Sequence, residues 1–137
     1  MNRSAIRENT FKLIYSLEIQ KPENLEEQID LFFESNNIEE QAQKDIKNVI
    51  LGIYENSESI EKDIEENLKE EWKINRISKM DLSILKLAIY EIKHNEIPYK
   101  VAINEAVELA KKYGEETSAK FINGALAKVV KEYIEKG

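Results

Sequence analysis

The stretch from Ile97 to Leu126, IPYKVAINEAVELAKKYGEETSAKFINGAL, restricts the fold more than any other part of the chain, because it reads as two helices joined by one polar turn. Pro98 fixes the entry, after which Val101, Ala102, Ala106, Leu109, Ala110 and Tyr113 return to one side of a helix with about 3.6 residues per turn. Gly114 is expected to end it as a left-handed C-cap. Thr117 or Ser118 is suited to cap the next helix, whose apolar stripe runs through Phe121, Ile122, Ala125, Leu126, Val129, Val130, Tyr133 and Ile134. Gly124 falls within that stripe. Glycine weakens a helix by about 1 kcal/mol relative to alanine, so it is expected to mark a close approach of two backbones.

The rest of the chain repeats the helical period, and no strand pattern of comparable strength occurs, which predicts an all-α domain of about seven helices. The first helix is expected from Ser4 to Ile19, with Ile6, Thr10, Leu13, Ile14 and Leu17 on one face, Arg3, Arg7 and Lys12 off it, and Lys21-Pro22 as the stop. Asn24 with Glu27 reads as a capping box ahead of Leu25, Ile29, Phe32 and Phe33, and Asn37 with Glu40 as a second one ahead of Ala42, Ile46, Val49, Ile50 and Ile53. Asn56 or Ser57 starts a peripheral helix that carries only Ile60, Ile64 and Leu68 among many glutamates. Ser78 with Asp81 is placed to cap a fifth helix, whose wide apolar face of Ile84, Leu85, Ala88, Ile89 and Ile92 suits a central position.

A length of 137 residues with 42% hydrophobic content suits one domain spanning 1–137. The chain has no cysteine, hence no disulfide, thiolate nucleophile or cysteine metal site, which fits a reducing cytoplasm. No apolar run approaches the roughly 20 residues of a membrane helix. The net charge of -7 argues against a polyanionic partner, but its distribution does not. Residues 21–71 hold 5 Lys against 16 acids, whereas residues 72–137 hold 12 Lys and Arg against 9 acids and residues 1–20 hold 3 basic groups against 2 acids. A nucleic acid is therefore expected to meet the two ends of the chain, with the acidic segment facing elsewhere.

No phosphate loop, dinucleotide fingerprint or HExxH helix is present, and the single histidine, His94, is expected to cap carbonyls or face solvent. No catalytic residue, metal or cofactor is assigned. The candidate site is the amino-terminal arm, MNRSAIRENTFK, in which Arg3 and Arg7 are four apart and so share a helix face. The planar guanidinium fork suits phosphate, and a helix start offers unpaired N–H groups to an anion. Two such arginines are also ordinary surface residues, with Glu8 or Glu116 as ion-pair partners.

Three separated segments resemble the NusB family of transcription antitermination factors. The carboxy-terminal signature is carried by Pro98 to Glu105, Leu109 to Lys111 and Lys120 to Leu126, with Ile122 and Ala125 as mild replacements. Trp72, Arg76, Asp81, Ile84, Leu85, Leu87, Ala88, Tyr90 and Glu91 resemble the family's central helix, and Arg3, Ala5, Arg7, Glu8, Leu13 and Tyr15 its opening helix.

The resemblance implies an all-helical fold of two packed helical subdomains around a long central helix. It implies single-stranded boxA RNA as ligand, held by Arg3, Arg7, Lys120 and Phe121, although Ser4 and Ala5 interrupt the arginine run that many members carry. Phe121 is the weakest of these, since an aromatic on an apolar stripe is more often core than a base-stacking platform. It further implies docking of the ribosomal protein NusE at Tyr15 and Asp81, for which a core tyrosine and a helix cap are the alternatives, and assembly with RNA polymerase during ribosomal RNA transcription. Asn104 and Asn123 are expected to be buried amides at a helix junction rather than RNA contacts. Two other readings stay open: a helical adaptor that binds protein and never RNA, and a stand-alone relative of the RNA-binding domain of an rRNA methyltransferase. Family members occur as monomers and homodimers, and periodicity does not choose between these states.

Overall fold

A computed structural model describes residues 1–68 and 76–136, so Trp72 of the central-helix pattern lies outside the described residues. Within them the chain forms seven helices and no strand: α1 (Arg3–Gln20), α2 (Leu25–Ser35), α3 (Glu40–Glu55), α4 (Ser57–Glu66), α5 (Lys79–His94), α6 (Tyr99–Tyr113) and α7 (Ser118–Lys136). Helix α5 is the hub. It packs against α1, α3, α4, α6 and α7, with α1–α3 and α6–α7 forming further packed groups beside it. Its centrality comes from burial rather than length: every residue from Leu82 to Ile89 is buried, Ser83 and Lys86 included.

Local signals account for most boundaries. Asn2 Oδ1 accepts the Ala5 N–H at 2.8 Å, so α1 begins at Arg3, one residue earlier than expected, and it ends where Lys21 turns left-handed (φ 45°) before Pro22. Asn24 caps α2 through the Glu27 N–H at 3.0 Å, and Ser78 caps α5 through the Asp81 N–H at 3.0 Å. Phe11, absent from the expected face of α1, is among the most deeply buried residues at 1% exposure.

Several expectations are corrected. Asn37 does not open α3, which starts after Glu39 with no side-chain cap. It stands instead in the left-handed region (φ 50°), with Asn37 N–H bonded to Glu34 O and Ile38 N–H to Phe33 O. That is a Schellman ending for α2, completed by burial of both Ile38 and Phe33, and asparagine tolerates the required φ better than most residues. Gly114 is extended (φ -86°, ψ -175°) rather than left-handed. Glycine is required there for space, since an added methyl would lie 2.6 Å from Ser118 Cβ and 2.8 Å from Ala110 O. Val101, Tyr133 and Ile134 are exposed, not on the buried faces of their helices.

Gly124 is also exposed, and a methyl there would meet nothing within 4 Å. The buried stripe of α7 is Ile122, Leu126, Val129 and Val130, and Gly124, two residues from Ile122, points to the opposite side. With no contact to protect, Gly124→Ala is expected to raise unfolding stability by about 1 kcal/mol, read from urea titration at unchanged m-value. Destabilisation would show that the glycine serves a backbone contact after all.

Candidate nucleic-acid interface

Because Asn2 caps α1, Arg3 and Arg7 lie in its first turns. Together with Asp45, Asn48, Tyr90 and Glu91 they line a cleft of about 320 Å³ between α1, α3 and α5. Arg3 is exposed at the rim, while Arg7 reaches inward. Its Nε donates to Glu91 Oε2 at 2.9 Å and its Nη2 lies 2.8 Å from the same oxygen, while Nη1 faces Glu105 Oε2 at 3.6 Å. These partners replace the Glu8 and Glu116 expected from sequence. Burial pushes the Glu91 carboxyl above its ordinary value, the bond and charge of Arg7 pull it back, and the charge of Glu105 adds to the rise.

Glu8 ties α1 to the last turn of α6 by accepting from Lys112 Nζ at 2.7 Å and from the Tyr113 hydroxyl. These two bonds, ahead of the cost of burial, hold its carboxyl below the ordinary value. Phe11 packs on Tyr113 at 5.3 Å between ring centroids, and Lys12 and Lys112 lie 5.9 and 5.4 Å from that ring's centroid. The opening helix therefore adjoins the turn before α7, and the positive groups Lys12, Lys111 and Lys112 surround that junction.

Lys120 lies elsewhere, in a trough of about 480 Å³ between α6 and α7 lined by Tyr99, Lys100, Asn104 and Asn123 among others. Asn104 and Asn123 are exposed, which corrects their expected burial. At 100° per residue, the α6 positions that meet α1 (Glu105, Lys112) and those that line the trough (Lys100, Asn104, Val107) flank one exposed ridge formed by Val101, Asn104, Glu108 and Lys111. Arg3 and Arg7 thus share one cleft, whereas Lys120 lies in a separate trough on the α7 side of this ridge. Phe121 is half-buried and packed against the core rather than standing clear as a stacking platform.

Tyr15 is half-buried, packs against the core and stacks on Phe11 at 6.4 Å. Asp81 is half-buried in the first turn of α5, hydrogen-bonded to Ser118 and Ser78. Burial raises its carboxyl above the ordinary value, those bonds oppose the rise, and Glu115 adds to it. Its Oδ1 is buried and accepts no hydrogen bond. Asp81 borders the α6–α7 turn through Ser118, whereas Tyr15 is one ring removed from it, Phe11 standing between Tyr15 and Tyr113. His94 is exposed and stacks on Tyr90 at 5.7 Å.

Sequence reasoning missed Glu91 and Glu105 as partners of Arg7, and Tyr99 and Lys100 as neighbours of Lys120. Part of this was detectable: Lys100 and Asn104 are four apart and Asn123 is three from Lys120, so on each helix the polar groups share a face.

A NusB family model matches residues 4–131. The transcription antitermination protein NusB of Acetivibrio thermocellus is 53% identical over 132 residues, covering 96% of this chain and 90% of the relative. Among solved structures, NusB of T. maritima superposes with a TM-score of 0.87 at 37% identity, covering 96% of this chain and 92% of that one. A crystal structure of the antitermination factors NusB and NusE in complex with dsRNA contains a chain matching with a TM-score of 0.85 at 26% identity, covering 96% of this chain and 97% of that one. With the matched region running from the first turn of α1 to the last turns of α7, the chain belongs to the NusB family.

Proposed function

We propose that this chain is a cytoplasmic transcription antitermination factor that binds boxA RNA together with NusE and joins the RNA polymerase antitermination complex during ribosomal RNA transcription. It works by assembly rather than by catalysis. Support comes from its family and from one structural observation: Arg7 on one side and Lys100 with Lys120 on the other flank the exposed ridge of α6, with Arg3 in the cleft that Arg7 shares with α3 and α5. A single-stranded backbone crossing that ridge meets a positive charge on each side, with Asn104 and Asn123 as amide donors and acceptors. Phe121 contributes through the shape of the α7 start.

NusE docks against Tyr15 and Asp81 in this reading. Asp81 supports it only as a half-exposed acidic side chain that a basic partner can approach. The net charge of -7 speeds encounter with such a partner. Among the described residues no helix is long and apolar enough to cross a membrane.

Calorimetric titration of boxA RNA into the chain, with and without NusE, tests the proposal. The pair is expected to bind more tightly than the chain alone. With about three phosphate contacts at roughly -0.7 each, the log-log salt dependence should have a slope near -2. Absence of any gain on adding NusE would remove the account. The adaptor reading draws on one observation, the engagement of Arg7 by two carboxylates, and it predicts no RNA binding with or without NusE.

A further inference from the structure

Resting on the RNA-binding reading above, we infer that Glu105 is a built-in competitor for one RNA phosphate at Arg7, and that Glu91 holds the guanidinium so that only its Glu105-facing edge is open to ligand. The two carboxylates grip Arg7 in different ways. Glu91 takes Nε and Nη2 at 2.9 and 2.8 Å, and its side chain is 9% exposed, so this edge is locked into the protein. Glu105 stands at 3.6 Å from Nη1, beyond good hydrogen-bond distance, and its side chain is 33% exposed. A part-exposed carboxylate at that distance contributes charge without a strong bond, so a better-placed anion can take its position.

The outer edge of Arg7 opens onto a groove between α1 and α6 that is also lined by Ser4, Glu108, Lys111 and Lys112. Two of its other charges are already engaged: Lys112 with Glu8 at 2.7 Å and Lys111 with Glu108 at 3.6 Å. Lys111 and Glu108 stand as far apart as Arg7 and Glu105 and are more exposed, so what sets Arg7 apart in this groove is that a buried carboxylate already holds its other edge in place for a second anion. A phosphate oxygen replacing Glu105 would complete the planar fork that Glu91 has already oriented, whereas lysine in place of Arg7 could not serve both edges. Glu91 is thus a positioning residue, and Glu105 sets the affinity threshold that the RNA must exceed.

The test is binding of a short single-stranded boxA oligonucleotide to the full chain with NusE. Glu105→Gln is expected to tighten binding about threefold, the order of a part-exposed ion pair. Glu108→Gln removes the same charge one turn further along the same groove and should tighten it distinctly less. In an Arg7→Lys background the excess gain from Glu105→Gln should vanish. Melting temperatures establish that each variant is folded. Equal gains from Glu105→Gln and Glu108→Gln, or an undiminished gain with Lys at position 7, would overturn the inference by reducing it to net charge. If neither Arg3→Ala nor Lys120→Ala weakens RNA binding, the RNA reading itself falls and takes the inference with it.

Discussion

Arg7→Ala is expected to lower folding stability by about 3 kcal/mol, because it leaves a buried carboxylate without its counter-charge. For a domain of this size that is a fall in melting temperature of roughly 10 °C. Glu91 is 7% exposed and, among the described residues, Arg7 is the side chain hydrogen-bonded to it. Removing the arginine also brings Glu105 into unrelieved repulsion with Glu91. Most of the loss is a cost of the stranded charge rather than the net worth of the pair, so Arg7→Ala with Glu91→Gln should recover more than half of it.

The pH dependence gives an independent check. The folded-state pKa of Glu91 is raised above its ordinary value of 4.5, mainly by burial, and loss of Arg7 raises it further. A raised carboxyl is protonated in the folded protein first, so its favourable contribution is complete below the ordinary value and is lost as pH rises through the folded value. The penalty of Arg7→Ala relative to the parent should therefore be small near the ordinary carboxylate range and grow toward neutrality. A penalty of constant size from acid to neutral pH would show that lost packing of the arginine stem, not the buried charge, is responsible.

This ion pair shows where sequence reasoning stops. Helix bounds and the caps at Asn24 and Ser78 are legible because each depends on residues within one turn. Arg7 and Glu91 are 84 residues apart, and in a chain with 27 acids nothing in spacing selects one of them. Local reasoning therefore assigned Arg7 to neighbours such as Glu8, which is instead occupied by Lys112 and Tyr113. Asn37 failed for a different reason. Asparagine serves both as an N-cap and as a left-handed helix terminator, and the buried Ile38–Phe33 pair decided between these roles. Asn104 and Asn123 were misplaced because adjacent apolar letters were taken for apolar surroundings, although helical phase turns both away from the stripes they interrupt. The separation of charge along the chain is only partly carried into the fold: Asp45 of the acidic segment lines the cleft of Arg3 and Arg7, and Glu39 pairs with the amino terminus.

Asp81→Asn is expected to separate stability from partner binding. In the free chain the substitution should be mildly stabilising at neutral pH, by about 0.5 kcal/mol after allowance for solvent screening of a half-buried group. The ionised carboxyl is disfavoured there first by burial, and Glu115 adds repulsion that the hydrogen bonds from Ser118 and Ser78 only partly offset. The sign follows from the raised folded-state value: the contribution of Asp81 to stability is complete below its ordinary value of 3.8 and lost on going to higher pH, so asparagine should flatten that part of the pH–stability curve. Its backbone N–H bond to Ser78 Oγ is untouched, which preserves the helix cap. Binding of the basic ribosomal partner should nevertheless weaken about tenfold, since the solvent-facing part of the half-buried carboxylate would lose its charge. Thermal melts of the free chain and titration with NusE read the two effects separately. A substitution that destabilises the chain while leaving NusE affinity unchanged would reduce Asp81 to a structural residue of the α5 cap and move the docking surface away from the α6–α7 turn.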